Sequence, residues 1–594
     1  MQLTETRLQE VTRAPEASLL PARSWAGIIL LVFMICGAIA IAFDAAPQPT
    51  KEAASSEFSA VRAQTHLASI ARAPHPINST EHGLVRDYIL NTFRQMGMSP
   101  EVQKTAADPT DDSAGAIENI VCRLQGGTHD KAVLLVAHYD SVEEGPGASD
   151  DGVAVADILE TARALKSQSQ LKRDIIFLLT DGEEAGLLGA RAFVKQHPWA
   201  KDAGVVLNFD ARGTTGSSIM FETSAQNSWL ISNFGAAASH PVANSLSYEI
   251  YKRLPNDTDF TIFRRAGYSG LNFAFINGLG NYHSASDSLK TVDPRSLQHD
   301  GDYMMELAKQ FGNAAGDDPK ETNAVYFDVL GLLLVRYSKT ASIVFLVVAV
   351  ILFGTAYVSG TRKGSLRAMP SLLGFLCVIL GTMILVVGVE AAAWLISAAH
   401  LPRIHHGLMF QTGWYILAFS ALGVSAAMPM YSFMANRLGS DNLIAGALLG
   451  WLALATAVTI YVSGASYLLL WPMFFVAAGW LIVLANRNIT ESGRAVTLAL
   501  SGIPAIMLMI PMVHKIVWAF SAQSALIVSV LLGLLLALLA GTFRLEHVGK
   551  KWALPLTVFA AGVALLLIAV LVSGNSVEST RLLPLHTIVV AGEL

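Results

Sequence analysis

Two kinds of hydrophobic pattern divide the chain near Asn323. Before this residue, short apolar segments alternate with polar ones, apart from one continuous apolar run at Trp25–Phe43. After it, the chain consists mainly of apolar runs of about 20 residues, the length that an α-helix needs to cross a bilayer. The pattern therefore predicts a polar folded domain followed by an all-α multi-span transmembrane domain.

The distribution of Lys and Arg predicts how these spans are oriented. If the N-terminus is cytoplasmic, most basic loop residues fall in loops on the cytoplasmic side, as the positive-inside rule requires. The apolar runs after the polar domain lie at 340–358, 370–398, 413–433, 443–462, 466–485, 495–513, 520–541 and 553–573. The predicted layout is a cytoplasmic tail at 1–24, an anchor at 25–43, a folded domain at 50–315, an interfacial helix at 323–338, an eight-helix transmembrane domain at 340–573 and an exoplasmic tail at 574–594.

Within the polar domain, apolar strands alternate with amphipathic helices. Strands are predicted at Ala132–Ala137, Asp174–Thr180 and Gly204–Phe209, and helices at Val153–Ser167 and Leu187–Gln196. Such alternation is typical of an α/β fold with a mainly parallel mixed sheet flanked by helices. Ligands bind such sheets at the carboxyl ends of the strands.

Composition narrows the classes of partner. The chain is 53% hydrophobic and 15% charged, with a net charge of −5. It has no basic tract and no interleaved basic and aromatic residues, so nucleic acid is excluded as an expected partner. Its three cysteines are too few and too scattered for a disulfide framework. The expected partners are a lipid bilayer and whatever the polar domain binds.

Five short polar segments follow strands or occupy loops of this domain. Nitrogen and oxygen donors on separate loops, with no thiolate among them, suit catalytic rather than structural zinc. Two adjacent carboxylates before a helix are often caps, and we keep that interpretation for Asp151 but favour Asp150 as a bridging ligand. The segments are His138-Tyr139-Asp140, Asp150-Asp151, Glu183-Glu184, Asp210 and His283.

Taken in order, these segments resemble the M28 family of zinc peptidases. The shared pattern is His-x-Asp, Gly-Ala-x-Asp-Asp-Gly, a strand ending in Glu-Glu, a strand ending in Asp, and a late His followed by Ser/Thr-x-x-Asp. The order of anchor, polar domain and helix bundle resembles the membrane-bound branch, which includes vacuolar membrane protease and endoplasmic reticulum metallopeptidase types. The segments Asn208–Gly213, Phe221–Ser224 and Leu254–Asp259 are also similar to that branch.

The resemblance implies a zinc aminopeptidase/carboxypeptidase-like fold that binds two Zn²⁺ ions per chain. One zinc would be held by His138 and Asp210, and the other by Glu184 and His283. Asp150 would be shared between the two zinc ions. Glu183 would act as general base and acid, and Asp140 would orient His138.

Four further residues are candidate substrate contacts, each with a plainer alternative. Arg212 is equally well explained as a structural salt bridge beneath the site. Asp257 and Asp259 are more often turn formers, and Tyr282 either packs beside His283 or donates a hydrogen bond to the reaction intermediate.

The resemblance implies a membrane-anchored metalloexopeptidase, an aminopeptidase that hydrolyses peptides or proteins outside the cytoplasm. The expected location is a bacterial inner membrane with the peptidase domain in the periplasm, or a vacuolar or endoplasmic reticulum membrane with a lumenal domain in a eukaryote. One alternative is a glutaminyl cyclase-like acyltransferase on the same fold. Another is a catalytically silent ectodomain that serves as receptor or scaffold for a transport-type helix bundle.

Overall fold

The computed structural model describes residues 25–49, 52–106, 116–128, 130–398, 412–520, 524–542 and 552–580. The predicted cytoplasmic tail at 1–24 lies outside the described residues. The same holds for the part of the predicted exoplasmic tail that follows Thr580.

A seven-stranded mixed sheet forms the centre of the polar domain. The strand order is β1-β2-β4-β3-β5-β7-β6, in which β4, β3, β5 and β7 pair in parallel and the other pairs are antiparallel. All residues of β3, β4 and β7 are buried, as expected of strands covered by helices on both faces. The strands are β1 (Glu101–Ala106), β2 (Ala116–Leu124), β3 (Ala132–His138), β4 (Ile175–Thr180), β5 (Ala203–Ala211), β6 (Ile219–Thr223) and β7 (Ser269–Phe275).

Helices cover both faces of this sheet and confirm the predicted fold class. The predicted strands and helices are found with ends that differ by at most two residues from the prediction. Ser59 and Ser79 begin two of the helices by accepting hydrogen bonds from the backbone of the first turn. The predicted anchor forms helix α1 (Trp25–Phe43), and the domain helices are α2 (Ala60–Ile70), α3 (Thr80–Gln95), α4 (Ala154–Lys166), α5 (Leu188–Gln196), α6 (Ser228–Ala237), α7 (Ser245–Tyr251), α8 (Asp259–Arg265) and α9 (Pro294–Asn313).

The interfacial helix predicted at 323–338 is wrong, because this segment forms a β-hairpin. Strands β8 (Ala324–Val329) and β9 (Leu333–Ser338) pair in antiparallel fashion. The physical reason is that β-branched and aromatic residues, which favour strands, make up most of β8. Tyr326 is buried in the core of the polar domain, whereas the next residue, Phe327, stacks on Tyr467 of the helix bundle with ring centroids 4.8 Å apart.

The C-terminal half is an all-α transmembrane domain, as predicted. Among the described residues, the helices α10 to α15 are long and apolar enough to cross a membrane, while α16 and the apolar part of α17 are shorter. The predicted total of eight spans after the polar domain therefore stays a prediction. The helices are α10 (Lys339–Arg362), α11 (Ala368–Ala398), α12 (Thr412–Leu438), α13 (Ser440–Tyr461), α14 (Tyr467–Ala485), α15 (Glu491–Phe520), α16 (Ala525–Leu539) and α17 (Ala553–Thr580).

A buried carboxyl on α9 should make the stability of the polar domain depend on pH. Asp300 is fully buried, and burial raises its pKa to about 7 although the Ser218 hydroxyl donates a hydrogen bond to it. A raised folded-state pKa contributes stability that is full below the unfolded pKa near 4 and is lost as the pH rises through about 7. We expect Asp300→Asn to remove this loss in the free energy of unfolding, which is at most ~4 kcal/mol at pH 8.

Thermal unfolding of the detergent-purified protein at pH 5 and pH 8 measures this effect. The melting temperature of Asp300→Asn should fall less between the two pH values than that of the parent protein. Glu321→Gln, at an exposed carboxylate, is the matched control and should keep the parental pH dependence. Equal pH dependence of parent and Asp300→Asn would contradict the argument.

Candidate metal centre

Parallel pairing brings the predicted site residues to one edge of the sheet. His138 ends β3, where it pairs with Thr180 at the end of β4, and the Glu183-Glu184 pair follows three residues later. Asp210 lies at the end of β5, and His283 lies in the loop after β7. Carboxyl ends of neighbouring parallel strands share one edge, so residues far apart in sequence converge there.

Asp150 lies at the centre of this group. It belongs to the helical turn Ala148–Val153 that precedes α4. One of its oxygens, Oδ1, lies 3.0 Å from Nε2 of His138, and the other, Oδ2, lies 3.1 Å from Nε2 of His283. The same His283 nitrogen is 3.1 Å from Oε1 of Glu184. The two oxygens of one carboxylate therefore face two different imidazoles.

Asp287 fixes the backbone that carries Asp150, a role that the sequence does not reveal. Its carboxylate accepts hydrogen bonds from the backbone N–H groups of Ser149 (2.8 Å) and Asp150 (3.0 Å). Asp287 is the last residue of the Ser-x-x-Asp pattern after His283. That spacing was a signal for it, but spacing alone gave no reason to connect Asp287 with a turn more than a hundred residues earlier.

Asp140 has a wider role than the predicted orientation of His138. Its backbone carbonyl lies 3.0 Å from Nδ1 of His138, and its carboxylate oxygen Oδ1 lies 3.6 Å from the same nitrogen. The same carboxylate accepts hydrogen bonds from the backbone N–H groups of Glu183 (3.1 Å) and Glu184 (3.2 Å). Asp140 therefore connects the loop after β3 to the loop that carries both glutamates.

The electrostatics of the site are those of crowded, buried carboxylates. Burial and the charge of Asp150 raise the pKa of Asp210 to about 7, and burial raises the pKa of Glu183 well above its ordinary value. Burial also acts on Asp150, but its contacts with His138 and His283 outweigh it and lower the pKa to about 2. Divalent cations among these groups would relieve the repulsion between the carboxylates.

The donor atoms fit catalytic zinc. His138, Asp150 and Glu184 each offer one ligand atom, and these atoms lie within 4.8 Å of one another. Glu184 Oε1 and His283 Nε2 are buried atoms that no described residue meets in hydrogen-bond geometry. Buried nitrogen and oxygen atoms that face one another without a hydrogen bond are the kind of ligand set that a metal site needs.

A cleft with about 1030 Å³ of free space, open solvent included, lies over these residues. Asp150, Glu183 and Asp210 line it, as do the candidate substrate contacts Arg212, Asp257 and Tyr282. The ring of Tyr282 stacks on His283 at 3.7 Å between centroids, and Asp257 forms an ion pair with Arg265 at 3.3 Å.

Asp259, the fourth candidate substrate contact, has different surroundings. It is buried at the start of α8, where its carboxylate accepts a hydrogen bond from the Thr180 hydroxyl at the end of β4. Asp259 is not among the described residues that line the cleft. Its contacts are therefore those of a residue that ties α8 to the sheet.

We expect Asp287→Asn to weaken metal binding without removing any ligand. An amide has only one acceptor oxygen for the two N–H groups that the carboxylate now serves, so the Asp150 turn becomes less well fixed. Loss of such a supporting bond typically costs about 10–100-fold in metal affinity. Titration with a fluorescent zinc chelator measures the change. Ser286→Ala, at an exposed residue in the same loop, is the control, and equal zinc affinity in both variants would contradict the role of Asp287.

Comparison with known proteins agrees with this geometry. Residues 119–308 match the family description Peptidase family M28. The chain is 32% identical over 317 residues to endoplasmic reticulum metallopeptidase 1 of Homo sapiens, covering 48% of this chain and 35% of that protein. It is 34% identical over 271 residues to a vacuolar membrane protease of Candida albicans, covering 45% and 31%. The chain thus spans about a third of the length of these curated relatives.

Among solved structures, a zinc aminopeptidase from Bacillus subtilis is 16% identical. The match covers 45% of this chain and 98% of that chain, with a TM-score of 0.36.

Proposed function

We propose that this chain is a membrane-anchored two-zinc metallopeptidase, because residues 119–308 match peptidase family M28 and the chain is similar to an endoplasmic reticulum metallopeptidase and a vacuolar membrane protease. It would hydrolyse peptide bonds in peptides or proteins as an aminopeptidase. One observation carries the proposal: the two oxygens of Asp150 face two different histidines, with Glu183 in the same cleft. One carboxylate between two imidazoles offers a separate oxygen to each of two adjacent metal ions.

The ligand sets are those that the resemblance implies, and the short distances from Asp150 to His138 and His283 and from His283 to Glu184 support them. His138 and Asp210 would hold one zinc ion, Glu184 and His283 the other, and Asp150 both. When bound, the zinc ions would polarise the scissile carbonyl and lower the pKa of the attacking water. The count of two is part of the proposal. The alternative to two zinc ions is a glutaminyl cyclase-like enzyme that binds one.

Glu183 would move the proton. Its carboxyl lines the cleft, and burial raises its pKa well above the ordinary value. It would accept a proton from the attacking water and then donate it to the leaving amine. Asp140 would keep this carboxyl in place, because it accepts a hydrogen bond of 3.1 Å from the backbone of Glu183. The burial of the site would keep bulk water away from the transfer.

The site would also favour action at a free N-terminus. The zinc ions and nearby carboxylates would anchor the free amine of a substrate's first residue, whereas an acetylated terminus offers no amine to bind. The domain would lie on the non-cytoplasmic side of the membrane, which is supported by the distribution of Lys and Arg among the predicted loops. The named relatives belong to endoplasmic reticulum and vacuolar membranes, so the proposal does not extend to a bacterial periplasm.

A pair of peptides tests this function in the detergent-purified full-length chain. The two peptides share one sequence, and one of them carries an N-terminal acetyl group. We expect release of the first residue from the free peptide alone, loss of that release after chelation, and recovery on addition of zinc. Internal cleavage of both peptides would replace the aminopeptidase assignment with an endopeptidase. If the zinc-restored protein cleaves neither peptide, the proposed enzymatic activity is contradicted.

A further inference from the structure

One face of the membrane helix α15 lines the catalytic cleft. Five of its residues border the cleft: Met512, Lys515, Ile516, Ala519 and Phe520. Their spacing of three and four residues places them on a single stripe of the helix. The proposed mechanism uses none of them. An apolar run of this kind predicts contact with lipid, so the position of these residues at the cleft could not be predicted from the sequence.

The polar domain supplies the facing apolar surface. Phe221 from β6 and Ile250 from α7 line the cleft, and Leu254 follows in the next loop. The ring of Phe221 contacts Tyr251 in a T-shaped arrangement with centroids 4.7 Å apart. The cleft therefore has an acidic end at Asp150 and, between the two domains, a part where apolar side chains from both face each other.

A buried ion cluster holds α15 in this position. The Lys515 ammonium lies 2.6 Å from Oδ1 of Asp44, the residue after α1, and 3.8 Å from Oδ1 of Asp328 in β8. Asp328 in turn accepts a hydrogen bond of 3.2 Å from the backbone N–H of Ala243 in the polar domain. Lys515 thus pairs with two carboxylates of the chain. A substrate would therefore contact the apolar residues on this face of α15.

A second connection fixes the opposite wall. The Ser245 hydroxyl, at the start of α7, donates a hydrogen bond of 2.6 Å to the backbone carbonyl of Gly464 in the loop before α14. The helix that carries Ile250 is therefore joined directly to the membrane domain. The width of the cleft is set by contacts between the two domains.

We infer that α15 forms one wall of the substrate-binding cleft, so that the membrane domain takes part in recognising the peptide. The inference rests on the proposed function and specifies the substrate: a peptide whose N-terminal residue is a large apolar one, packed between Ile516 and the polar domain. Such a wall also gives the helix bundle a role in the reaction that anchoring alone would not require.

Peptide binding to the full-length Glu183→Gln protein tests the wall without relying on catalysis. Two peptides differ only in an N-terminal Leu or Ala, and their dissociation constants are measured by calorimetry. We expect the leucyl peptide to bind about tenfold more tightly, since each buried methylene contributes to discrimination in an apolar pocket. Adding Ile516→Ala should reduce the ratio to about twofold, because the leucyl side chain loses its contact.

Val517→Ala is the matched control, because Val517 is the next residue of α15, is buried in the helix bundle and does not line the cleft. Adding Val517→Ala should leave the ratio of the two dissociation constants as it is in Glu183→Gln alone. The same ratio in Glu183→Gln and in both double variants, or no binding of either peptide, would overturn the inference that α15 forms a wall of the cleft.

A second measurement does not depend on the folding of any wall variant. A peptide with a photoreactive diazirine analogue of leucine at its N-terminus is irradiated with Glu183→Gln protein, and the adducts are mapped by mass spectrometry. We expect adducts within Met512–Phe520, suppressed by excess leucyl peptide; specific adducts in the polar domain alone would overturn the inference. Binding and labelling as expected, with no hydrolysis by the parent protein, would reject the proposed enzyme and leave the wall in place.

Discussion

Replacing Glu183 by Gln is expected to lower kcat by at least about 10³-fold, which lies within the range that positioned acid–base groups contribute. The amide has nearly the same shape as the carboxylate but cannot accept the proton of the attacking water. The backbone of Glu183 is held by Asp140, a contact that the side-chain change leaves intact. KM should therefore change little, and the metal content should stay at the parental level.

Initial rates on a free peptide, together with metal analysis by mass spectrometry, measure this effect. Glu144→Gln is the matched control, because Glu144 is an exposed carboxylate between β3 and α4. It should keep parental kcat. A Glu183→Gln protein that is metal-loaded and retains more than about a tenth of parental kcat would remove Glu183 from the proton transfer.

Replacing Asp150 by Ala is expected to have the second large effect, the loss of both metal ions. Asp150 is the residue whose two oxygens lie within 3.1 Å of both His138 and His283. Without this carboxylate, each remaining set of ligands loses a member, and the two cations would repel each other with no charge between them. Bound zinc should fall from two ions per chain to less than one, and hydrolysis should fall with it.

Equilibrium dialysis against buffered zinc measures the stoichiometry. Glu144→Gln again serves as the control and should bind two ions. If Asp150→Ala bound two zinc ions with parental affinity, the bridging role of Asp150 would be wrong. If it bound one ion tightly and stayed active, the reaction would need a single metal, and the cyclase-like alternative would gain support.

The sequence was sufficient for the parts of the structure that follow from local pattern. The strands ending at His138 and Thr180 are apolar throughout and end in polar residues, so their pairing in a parallel sheet could be predicted together with the edge that carries the site. The residues that meet at this edge could be named because their order along the chain matches a family pattern, and their roles stay predictions. Asp150 was favoured as a bridging ligand because a carboxylate has two oxygens, and these oxygens do face two imidazoles.

What the sequence did not indicate depends on contacts between distant segments. Asp287 supports Asp150 through backbone N–H groups, and such bonds leave no residue-type signal at the partner position. The segment at 323–338 has too short a pattern to separate a helix from a hairpin, and the alternate burial of Tyr326 and Phe327 between two domains decided it. Ile516 lies in an apolar run whose pattern is the same whether it faces lipid or a substrate.

Digestion of a defined peptide mixture by the detergent-purified full-length chain, read by mass spectrometry beside Glu183→Gln, tests whether these residues form a two-metal site that cuts peptide bonds. We expect stepwise loss of single N-terminal residues with the parent protein and an unchanged mixture with the metal-loaded variant. An unchanged mixture with both proteins, each holding two metal ions, would contradict a two-metal peptidase site.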